Sequence, residues 1–392
     1  MHALALETLK YLASQAGLAV ISIAEPSELL QDRAFLEEWQ AAGYAAEMNY
    51  MQRSSELLSS PARLLEGVRS IVVIGAYYDQ TPRRPLSTGY GRVARYAWGR
   101  DYHKVLRKRL EQLVELVKGE LRGEILYRLF SDSVPLLERA LARRSGLGFI
   151  GKNTMMIVPG RGSFLFLGEI LWDVEIDLGK VAPIESVAHC GSCTRCISKC
   201  PTQAFVKERV LDAGRCISYL TIEKRGALSL QEREWLGEWI FGCDICQEVC
   251  PFNFVALKKR SVADLPELGA QAGAGEALAI EELLSIRSDP AFIARFGGTA
   301  IMRAKREGLL RNAAVVAANT GALKLVPLLN GVSICDQSPV VRQHALWAYA
   351  KLGTLEGSVG AARVAQRLSR ARQDPDLAVR QEAESLLIRL PK

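Results

Sequence analysis

The sequence predicts a multidomain chain of the α+β class: an α/β domain, a compact cysteine-rich domain, a connection and a set of helical repeats, at residues 1–182, 183–262, 263–297 and 298–392. Three observations predict this order. Helical and strand patterns are mixed in the first part, eight of the nine cysteines fall between positions 190 and 250, and strand patterns are missing beyond position 298. A chain of 392 residues is long enough to bury a core in each of two or three domains.

Hydrophobic periodicity defines the N-terminal domain. Strands are predicted at 18–24, 70–78, 124–133 and 162–176. Helices are predicted from the N-terminus to Gly17, over 101–121, and from Pro135 to Gly146. Since strands and helices alternate, we expect an α/β domain.

Composition favours a soluble protein. The chain is 49% hydrophobic and 24% charged, and it has no apolar run near the roughly 18 residues that a membrane helix needs. The first helix carries Glu7 and Lys10, so it is not a signal peptide. We therefore expect a cytoplasmic protein with reduced cysteines, no membrane association and, for oligomeric state, a monomer.

The net charge of +7 is located in the C-terminal part. Residues 298–392 contain 14 Lys or Arg and 7 Asp or Glu, so the remainder of the chain is balanced. A basic module favours a polyanionic partner, because Lys and Arg neutralise phosphates. A solvated basic helix surface is the alternative.

The same part contains a repeated D-x5-R-Q pattern, at Asp336–Arg342 and Asp374–Arg380, each followed by an amphipathic helix. Residues 309–322 resemble a degenerate copy. Helical repeats of this size predict a short solenoid of HEAT type. The isolated Cys335 is predicted to be a small buried hydrophobe.

The cysteines carry the chemistry. The first four have the spacing C-x2-C-x2-C-x3-C-P, in which the fourth cysteine ligates a second cluster. This spacing predicts two 4Fe–4S clusters, one held by Cys190, Cys193, Cys196 and Cys250 and the other by Cys200, Cys216, Cys243 and Cys246. Zinc sites and disulfides are the alternatives; a reducing compartment disfavours disulfides, and zinc sites usually repeat a simpler C-x2-C pair.

The second group departs from the compact pattern, because 26 residues separate Cys216 from Cys243. The inserted segment is expected to form a wall facing the acceptor of the electrons. Iron–sulfur clusters transfer single electrons, so the N-terminal domain should hold a further cofactor or a substrate. It contains neither a G-x-G-x-x-G nor a G-x-x-x-x-G-K-[ST] motif, and a nucleotide cofactor is unsupported.

Three stretches together resemble the epoxyqueuosine reductase family: "RYAWGRDYHKVLR" (95–107), "SGLGFIGKN" (145–153), and the paired cluster motif with "CISYLTIEKRG" (216–226). The resemblance implies reduction of the epoxide of epoxyqueuosine, at the wobble position of tRNA, to the alkene of queuosine. It also implies base-off cobalamin between the first two domains and a fold similar to reductive dehalogenases and, distantly, to nitroreductases. Electrons would come from an external donor. The segment around Glu66 departs from the family pattern.

The resemblance identifies Asp132 as the proton donor, since a departing epoxide oxygen needs an acid. Burial against the cofactor would raise the pKa of such an acid. The alternative is that Asp132 or Ser133 caps the following helix. His103 lacks the D-x-H-x-x-G context of a cobalt ligand and is interpreted as a helix-start residue. Implied cobalamin contacts are Ala94, Tyr96, Asp132, Lys152, Asn153, Met156, Leu167, Ile170, Ile217, Lys224, Asp244 and Ile245.

The resemblance also implies a partner for the basic C-terminal part, residues 298–392: the anticodon stem-loop of tRNA. Predicted phosphate contacts are Arg303, Lys305, Arg306, Arg311 and Arg342. Arg342 has an alternative role, because Asp and Arg at these positions often tie adjacent helical repeats together. Two rival functions stay open: a reductive dehalogenase-like enzyme acting on a small molecule, and a non-catalytic iron–sulfur electron carrier.

Overall fold

The computed structural model describes residues 3–52, 54–78, 81–132, 136–178, 189–258 and 263–390. Ser133 and Pro135, named above as a helix cap and a helix start, lie outside these ranges. None of the described helices combines the length and the apolar character that crossing a membrane requires.

The strands are β1 (Ala3–Ala5), β2 (Val20–Ala24), β3 (Ser70–Tyr77), β4 (Tyr90–Val93), β5 (Tyr127–Phe130), β6 (Phe149–Ile150), β7 (Met156–Ile157), β8 (Leu165–Trp172), β9 (Glu175–Asp177), β10 (Phe205–Lys207), β11 (Val210–Leu211), β12 (Trp239–Phe241) and β13 (Ala277–Ala279). The helices are α1 (Leu6–Gln15), α2 (Leu30–Ala41), α3 (Ser55–Ser59), α4 (Pro61–Leu64), α5 (Tyr102–Leu121), α6 (Glu138–Arg144), α7 (Arg195–Ser198), α8 (Ile217–Ile222), α9 (Leu230–Trp235), α10 (Ile245–Glu248), α11 (Pro251–Lys258), α12 (Ile280–Leu284), α13 (Asp289–Phe296), α14 (Lys305–Asn319), α15 (Val326–Cys335), α16 (Pro339–Gly353), α17 (Gly357–Ala371) and α18 (Leu377–Arg389).

The chain forms two compact units whose segments alternate along the sequence. The first unit comprises Met1–Pro82, Trp98–Arg215 and Asp244–Gly273, and the second comprises Arg83–Ala97, Cys216–Cys243 and Ala274–Lys392. These units cut across the consecutive domains predicted from the sequence. In particular, the segment between Cys216 and Cys243 belongs to the unit that contains the C-terminal helices.

The first unit is built on a four-stranded antiparallel sheet of order β2-β3-β8-β5. All eight residues of the central strand β3 are buried. One face of the sheet packs on α1 and α5, with Leu9, Leu110 and Ile170 in that core. The opposite face packs on α6, with Leu141 and Leu171 in a second core. The sheet therefore lies between two layers of helix, and the mixed α and β character predicted from the sequence is confirmed.

Several local predictions are confirmed and others are corrected. Gly17 ends the first helix region in a left-handed conformation, with φ of 77°, and the 101–121 helix is α5, capped at its start by the Asp101 side chain. Cys335 is exposed rather than buried, because it lies on the solvent side at the end of α15. Part of the predicted connection at 263–297 packs tightly: a Cβ on Gly273 would lie 2.1 Å from the Gly99 carbonyl oxygen.

The second unit joins a small sheet of order β12-β4-β13 to helices α12 to α18. Buried polar side chains of α14 fix the inserted segment. Arg311 donates hydrogen bonds to the carbonyls of Leu220, Lys224 and Gly226, at 2.7 to 3.0 Å. The adjacent Asn312 side chain donates to Thr221 and Ile240. The insertion is thus held by the C-terminal helices of its own unit.

Buried ion pairs link successive C-terminal helices. Arg306 on α14 pairs with Asp336, and Arg342 on α16 pairs with Asp374 through two hydrogen bonds of 2.8 and 2.9 Å. Arg342 also donates to the Asp336 carbonyl, and Arg380 donates to the Asp374 carbonyl in the same way. The D-x5-R pattern is therefore a structural linkage between helices.

These ion pairs predict a contrast between two arginines. The Arg306 and Asp336 side chains are 2% and 0% exposed, so Arg306→Ala leaves a buried carboxylate without its cation, and we expect a loss of about 3–5 kcal/mol. Arg303 is paired too, with Glu223, but its side chain is 55% exposed. Arg303→Ala should therefore cost about 0–1 kcal/mol. Urea unfolding followed by circular dichroism checks both; equal losses would contradict the structural role of Arg306.

Candidate active site and cluster-binding segment

Asp132 follows β5 at the edge of the sheet in the first unit. Its backbone has φ of 51°, a left-handed conformation that non-glycine residues seldom adopt. The side chain is 70% exposed, and its carboxylate accepts a hydrogen bond from the Tyr102 hydroxyl. Its backbone N–H donates to the Glu138 carboxylate. An exposed acid is thus held in an unusual conformation by residues from two helices.

Asp132 does not cap helix α6. That helix starts at Glu138, its N-cap position is Leu137, and no side chain caps it. The cap interpretation is therefore wrong for Asp132, because its carboxylate is directed to Tyr102 instead. An accessible carboxylate with one hydroxyl donor can accept or give up a proton at a ligand.

The start of α5 places Tyr102 and His103 beside Asp132. The Tyr102 ring stacks on Phe166 with centroids 4.2 Å apart and an interplanar angle of 7°. His103 Nδ1 lies 2.9 Å from the Asp101 carboxylate, and its Nε2 lies 3.9 Å from Asp132. The interpretation of His103 as a helix-start residue is confirmed. Burial acts to lower the pKa of His103, but the hydrogen bond and charge of Asp101 outweigh it, so the pKa is raised.

Two further acids behind Asp132 were missed by the sequence reasoning. Glu169 is fully buried on β8, in register with Phe130 of β5. Its carboxyl oxygens have no hydrogen-bond partner among the described residues. Burial, followed by the charge of Glu138, raises the pKa of Glu169; burial and the charge of Asp132 likewise raise the pKa of Glu138. The available signal was a single glutamate inside the apolar stretch "FLFLGEILW".

The loop 151–153 contacts the cysteine segment. The Lys152 backbone N–H lies 3.4 Å from the Cys190 sulfur, and the Asn153 side-chain amide lies 3.4 Å from the Cys246 carbonyl oxygen. The Lys152 ammonium, by contrast, is buried in an ion pair with Glu208 at 2.6 Å. Backbone donors to cysteine sulfur are a means by which proteins tune iron–sulfur clusters.

The cysteine segment contains two turns of the same construction. Cys196 lies in the one-turn helix α7, and Cys246 lies in the one-turn helix α10. The cysteine that follows each helix, Cys200 or Cys250, donates its N–H to a carbonyl three residues earlier and precedes a proline. The spacing C-x2-C-x3-C-P therefore specifies one local structure twice.

Several of the described thiols lie close enough together to affect one another's pKa. Burial raises the pKa of Cys196 to about 11, and the nearby Cys190 and Cys250 thiols add to the effect. Cys190 and Cys193 act in the same direction on Cys250. Cys200 and Cys246 also belong to the first unit, whereas Cys216 and Cys243 belong to the second. Among the residues described, no three His, Cys, Asp or Glu side chains are gathered as for a single metal ion.

The predicted cobalamin contacts divide by accessibility. The most buried are Ile170 (0%), Ala94 and Asp244 (1%), Asn153 (2%), and Met156 and Ile217 (3%). The prediction is corrected for Ile170, which faces the core with α1 and α5, and for Lys152, whose ammonium is paired with Glu208. The side chains that keep accessible surface are Asp132, Leu167 and Ile245 in the first unit, and Tyr96 in the second; Lys224, also in the second, is only 19% exposed and its ammonium pairs with Glu232 at 2.8 Å.

The predicted RNA contacts are corrected for three arginines. Arg306, Arg311 and Arg342 are buried and hydrogen-bonded within the protein, so their guanidinium groups are not available to phosphates. Arg303 remains largely exposed while paired with Glu223, and Lys305 is exposed. For Arg342, the role of tying adjacent helices is the one observed.

A groove in the second unit contains other arginines. It has a volume of about 460 Å³ and is lined by residues of α15, α16 and α17. Arg363, Arg367 and Arg370 follow one side of α17, with the Tyr349 ring in the lining. Arg363 pairs with Glu356 but is 60% exposed. The clustering of arginines on α17 was missed because individual arginines in a helix have no distinctive sequence pattern.

The Asp101–His103 contact yields a test of the local electrostatics. Asp101→Asn keeps an N-cap, because asparagine is as good a cap as aspartate, but it removes the negative charge beside His103. We expect the pKa of His103 to fall, as burial is then less opposed. NMR titration of the ring protons checks this, with His189 as the internal control; an unchanged His103 titration would contradict the assigned interaction.

Comparisons with known proteins agree with the geometry. Residues 59–133 match the family model "Epoxyqueuosine reductase QueG, DUF1730", and residues 189–253 match "4Fe-4S double cluster binding domain". The chain is 40% identical over 360 residues to epoxyqueuosine reductase of Xanthomonas campestris pv. campestris, covering 88% of this chain and 95% of the relative.

Two solved structures are also similar. A crystal structure of epoxyqueuosine reductase with an epoxyqueuosine-modified tRNA-Tyr stem loop has a TM-score of 0.86 and 30% identity, covering 98% of both chains. The Bacillus subtilis enzyme, described with an aspartate catalytic loop swung out of the active site, has a TM-score of 0.82, 30% identity and the same coverage. The chain therefore belongs to the epoxyqueuosine reductase family.

Proposed function

We propose that this chain reduces epoxyqueuosine to queuosine at the wobble position of tRNA. The observation that carries the proposal is the accessible Asp132, whose carboxylate accepts from the Tyr102 hydroxyl and whose backbone N–H donates to Glu138, in a chain that also contains a double-cluster domain. The relative solved with a modified stem loop supports tRNA as the substrate. The tRNA would meet the enzyme in the cytoplasm, where the chain acts as a monomer.

The reaction fixes what the residues must supply. Both C–O bonds of the epoxide break, a C=C bond forms, two electrons enter, and the oxygen takes two protons and leaves as water. An alkoxide is a poor leaving group, so a positioned acid lowers the barrier. Asp132 is the acid in this proposal, and the Tyr102 hydroxyl orients its carboxyl group.

We assign the eight clustered cysteines as ligands to two clusters, four to each. Cys190, Cys193, Cys196 and Cys250 form the first set, and their mutual effects on thiol pKa support placing them together. Cys200, Cys216, Cys243 and Cys246 form the second set by the spacing rule. Clusters bound by these cysteines would supply one-electron transfer from an external donor.

Cobalamin is the second cofactor of the proposal. In the first unit, the accessible Leu167 and Ile245 side chains would offer apolar contacts and Asp132 a polar contact to the cofactor; Tyr96 would offer an aromatic contact from the second unit. When bound, cobalamin supplies low-potential electrons at the substrate carbon. The protein residues bind and orient the ligands and deliver protons.

The proposed RNA-binding residues are those basic side chains that are accessible at the surface. Arg303 and Lys305 are retained, and Arg363 and Arg370 of the groove on α17 are added, because these side chains are exposed; Arg367 is left out, since its guanidinium donates to the hydroxyl and carbonyl oxygens of Ser333. Recognition of RNA helices relies mainly on backbone and shape, which suits a row of arginines. We also propose that the C-terminal helices α14 to α18 form HEAT-like repeats.

Replacing Asp132 tests the proposed chemistry. In protein reconstituted anaerobically with iron, sulfide and cobalamin, Asp132→Asn should lower queuosine formation by about 10²-fold or more, because an amide cannot donate the proton. Nucleoside mass spectrometry of the digested tRNA measures the product. Asp289→Asn, an exposed acid on α13, should have no effect.

The rival functions predict other outcomes. A small-molecule reductase would bind cobalamin and leave the tRNA unchanged, and an electron carrier would require neither cobalamin nor Asp132. Wild-type activity retained in Asp132→Asn would reject the assigned acid.

The groove arginines predict a change in the salt dependence of tRNA binding. Each lost phosphate contact lowers the slope of log K against log salt by roughly 0.7–0.9. Arg363→Ala combined with Arg370→Ala should therefore lower the slope by about 1–2 units. Arg107→Ala combined with Lys108→Ala, an exposed basic pair on α5, is the control. An unaltered slope in the groove variant would reject the assignment.

A further inference from the structure

Glu169 is a buried acid without an evident structural role. It lies in the middle of the central sheet, fully buried; its carboxyl oxygens make no well-formed hydrogen bond to a described residue, but the Glu138 carboxyl group lies close enough to interact with it. Burying an unpaired carboxylate is costly, whereas a neutral carboxylic acid is tolerated. Such a group is retained at a cost to stability, which indicates a role other than packing.

The position of Glu169 connects it to Asp132. Its side chain shares the sheet face of Leu171, the face that packs on α6. Glu138, the first residue of α6, interacts with Glu169 electrostatically and accepts the Asp132 backbone N–H. The order Glu169, Glu138, Asp132 therefore leads from the core to the exposed acid.

We propose that Glu169 is a buried proton store that reloads Asp132 by way of Glu138 during reduction. The inference rests on the proposed function, because that reaction consumes two protons and Asp132 carries only one. Asp132 gives the first proton to the departing oxygen. A proton then moves from Glu138 to the Asp132 carboxylate, Glu169 reprotonates Glu138, and Asp132 gives the second proton as water forms.

Charged residues surround Glu138 and Glu169, the two acids of the proposed transfer to Asp132. Burial and the charge of Asp132 raise the pKa of Glu138, whereas the Asp132 backbone N–H and the charge of Arg139 lower it. Arg128 shares the sheet face of Glu169, but its guanidinium donates to the Leu64 carbonyl at 2.7 Å. The described neighbours that act on Glu169 are the carboxyl groups of Glu138 and Asp132, and both favour its protonated form.

Infrared spectroscopy tests the stored proton directly. At neutral pH the wild-type holoenzyme should show the carbonyl band of protonated carboxylic acids, shifted in D2O and reduced in Glu169→Gln by the contribution of one carboxyl group. Glu175→Gln, an exposed glutamate on β9, should keep the band. A band unchanged in Glu169→Gln, or no such band in the wild type, would overturn the proposal.

Kinetics test the use of that proton. Glu169→Gln matches the shape of the protonated acid, so the fold and tRNA affinity should be retained while the single-turnover rate falls by about 10²-fold. The wild-type rate should decline as pH rises, since the store empties, and Glu169→Asp should restore part of the rate. A Glu169→Gln enzyme with the wild-type rate and pH profile would reject the relay alone; a wild type that forms no queuosine would instead reject the proposed function.

Stability provides a measurement independent of catalysis. The raised pKa of Glu169 means that, above the ordinary pKa of glutamate, the folded state holds a proton that the unfolded state releases. Stability of the wild type should therefore fall as pH rises through the folded-state pKa, and Glu169→Gln should remove that part of the decline. Equal pH dependence in the two proteins would contradict a protonated Glu169.

Discussion

The buried guanidinium of Arg311 is the interaction on which the second unit depends. It donates to three carbonyls of the segment between Cys216 and Cys243, and Asn312 beside it donates to two more. Burial lowers the pKa of Arg311 to about 10, so the group is still charged at neutral pH. Because these donors lie on α14, two cluster cysteines are flanked by backbone that the C-terminal helices position. The insertion is therefore part of the helical unit rather than an elaboration of a small ferredoxin.

In the proposed reaction, the first unit would supply the protons that the reduction consumes. Its sheet places one exposed acid, Asp132, at the end of β5 and one buried acid, Glu169, in the neighbouring strand. The same unit carries the two cysteine turns around α7 and α10. Six of the eight clustered cysteines thus share one compact unit with Asp132 and Glu169, while Cys216, Cys243 and the basic groove belong to the other.

Local structure could be predicted from the sequence, whereas the partners of the side chains could not. The helix at 101–121 and the cysteine turns follow from periodicity and short spacing, which act over a few residues. Arg306 and Arg311 look like surface cations in the sequence; their carboxylate and carbonyl partners lie far along the chain. The interleaved units were not foreseen for the same reason, because long-range contacts decide them. Conversely, Glu169 breaks an apolar run, a local signal that indicates a special residue.

Electron stoichiometry with the wild-type holoenzyme tests the account most directly. The fully loaded protein, given modified tRNA in excess, is titrated anaerobically with a calibrated reductant, and queuosine is quantified by mass spectrometry of the digested RNA. Once the cofactors are reduced, we expect one queuosine for every two further electrons. Electron uptake without queuosine, with the epoxide intact in tRNA, would contradict it.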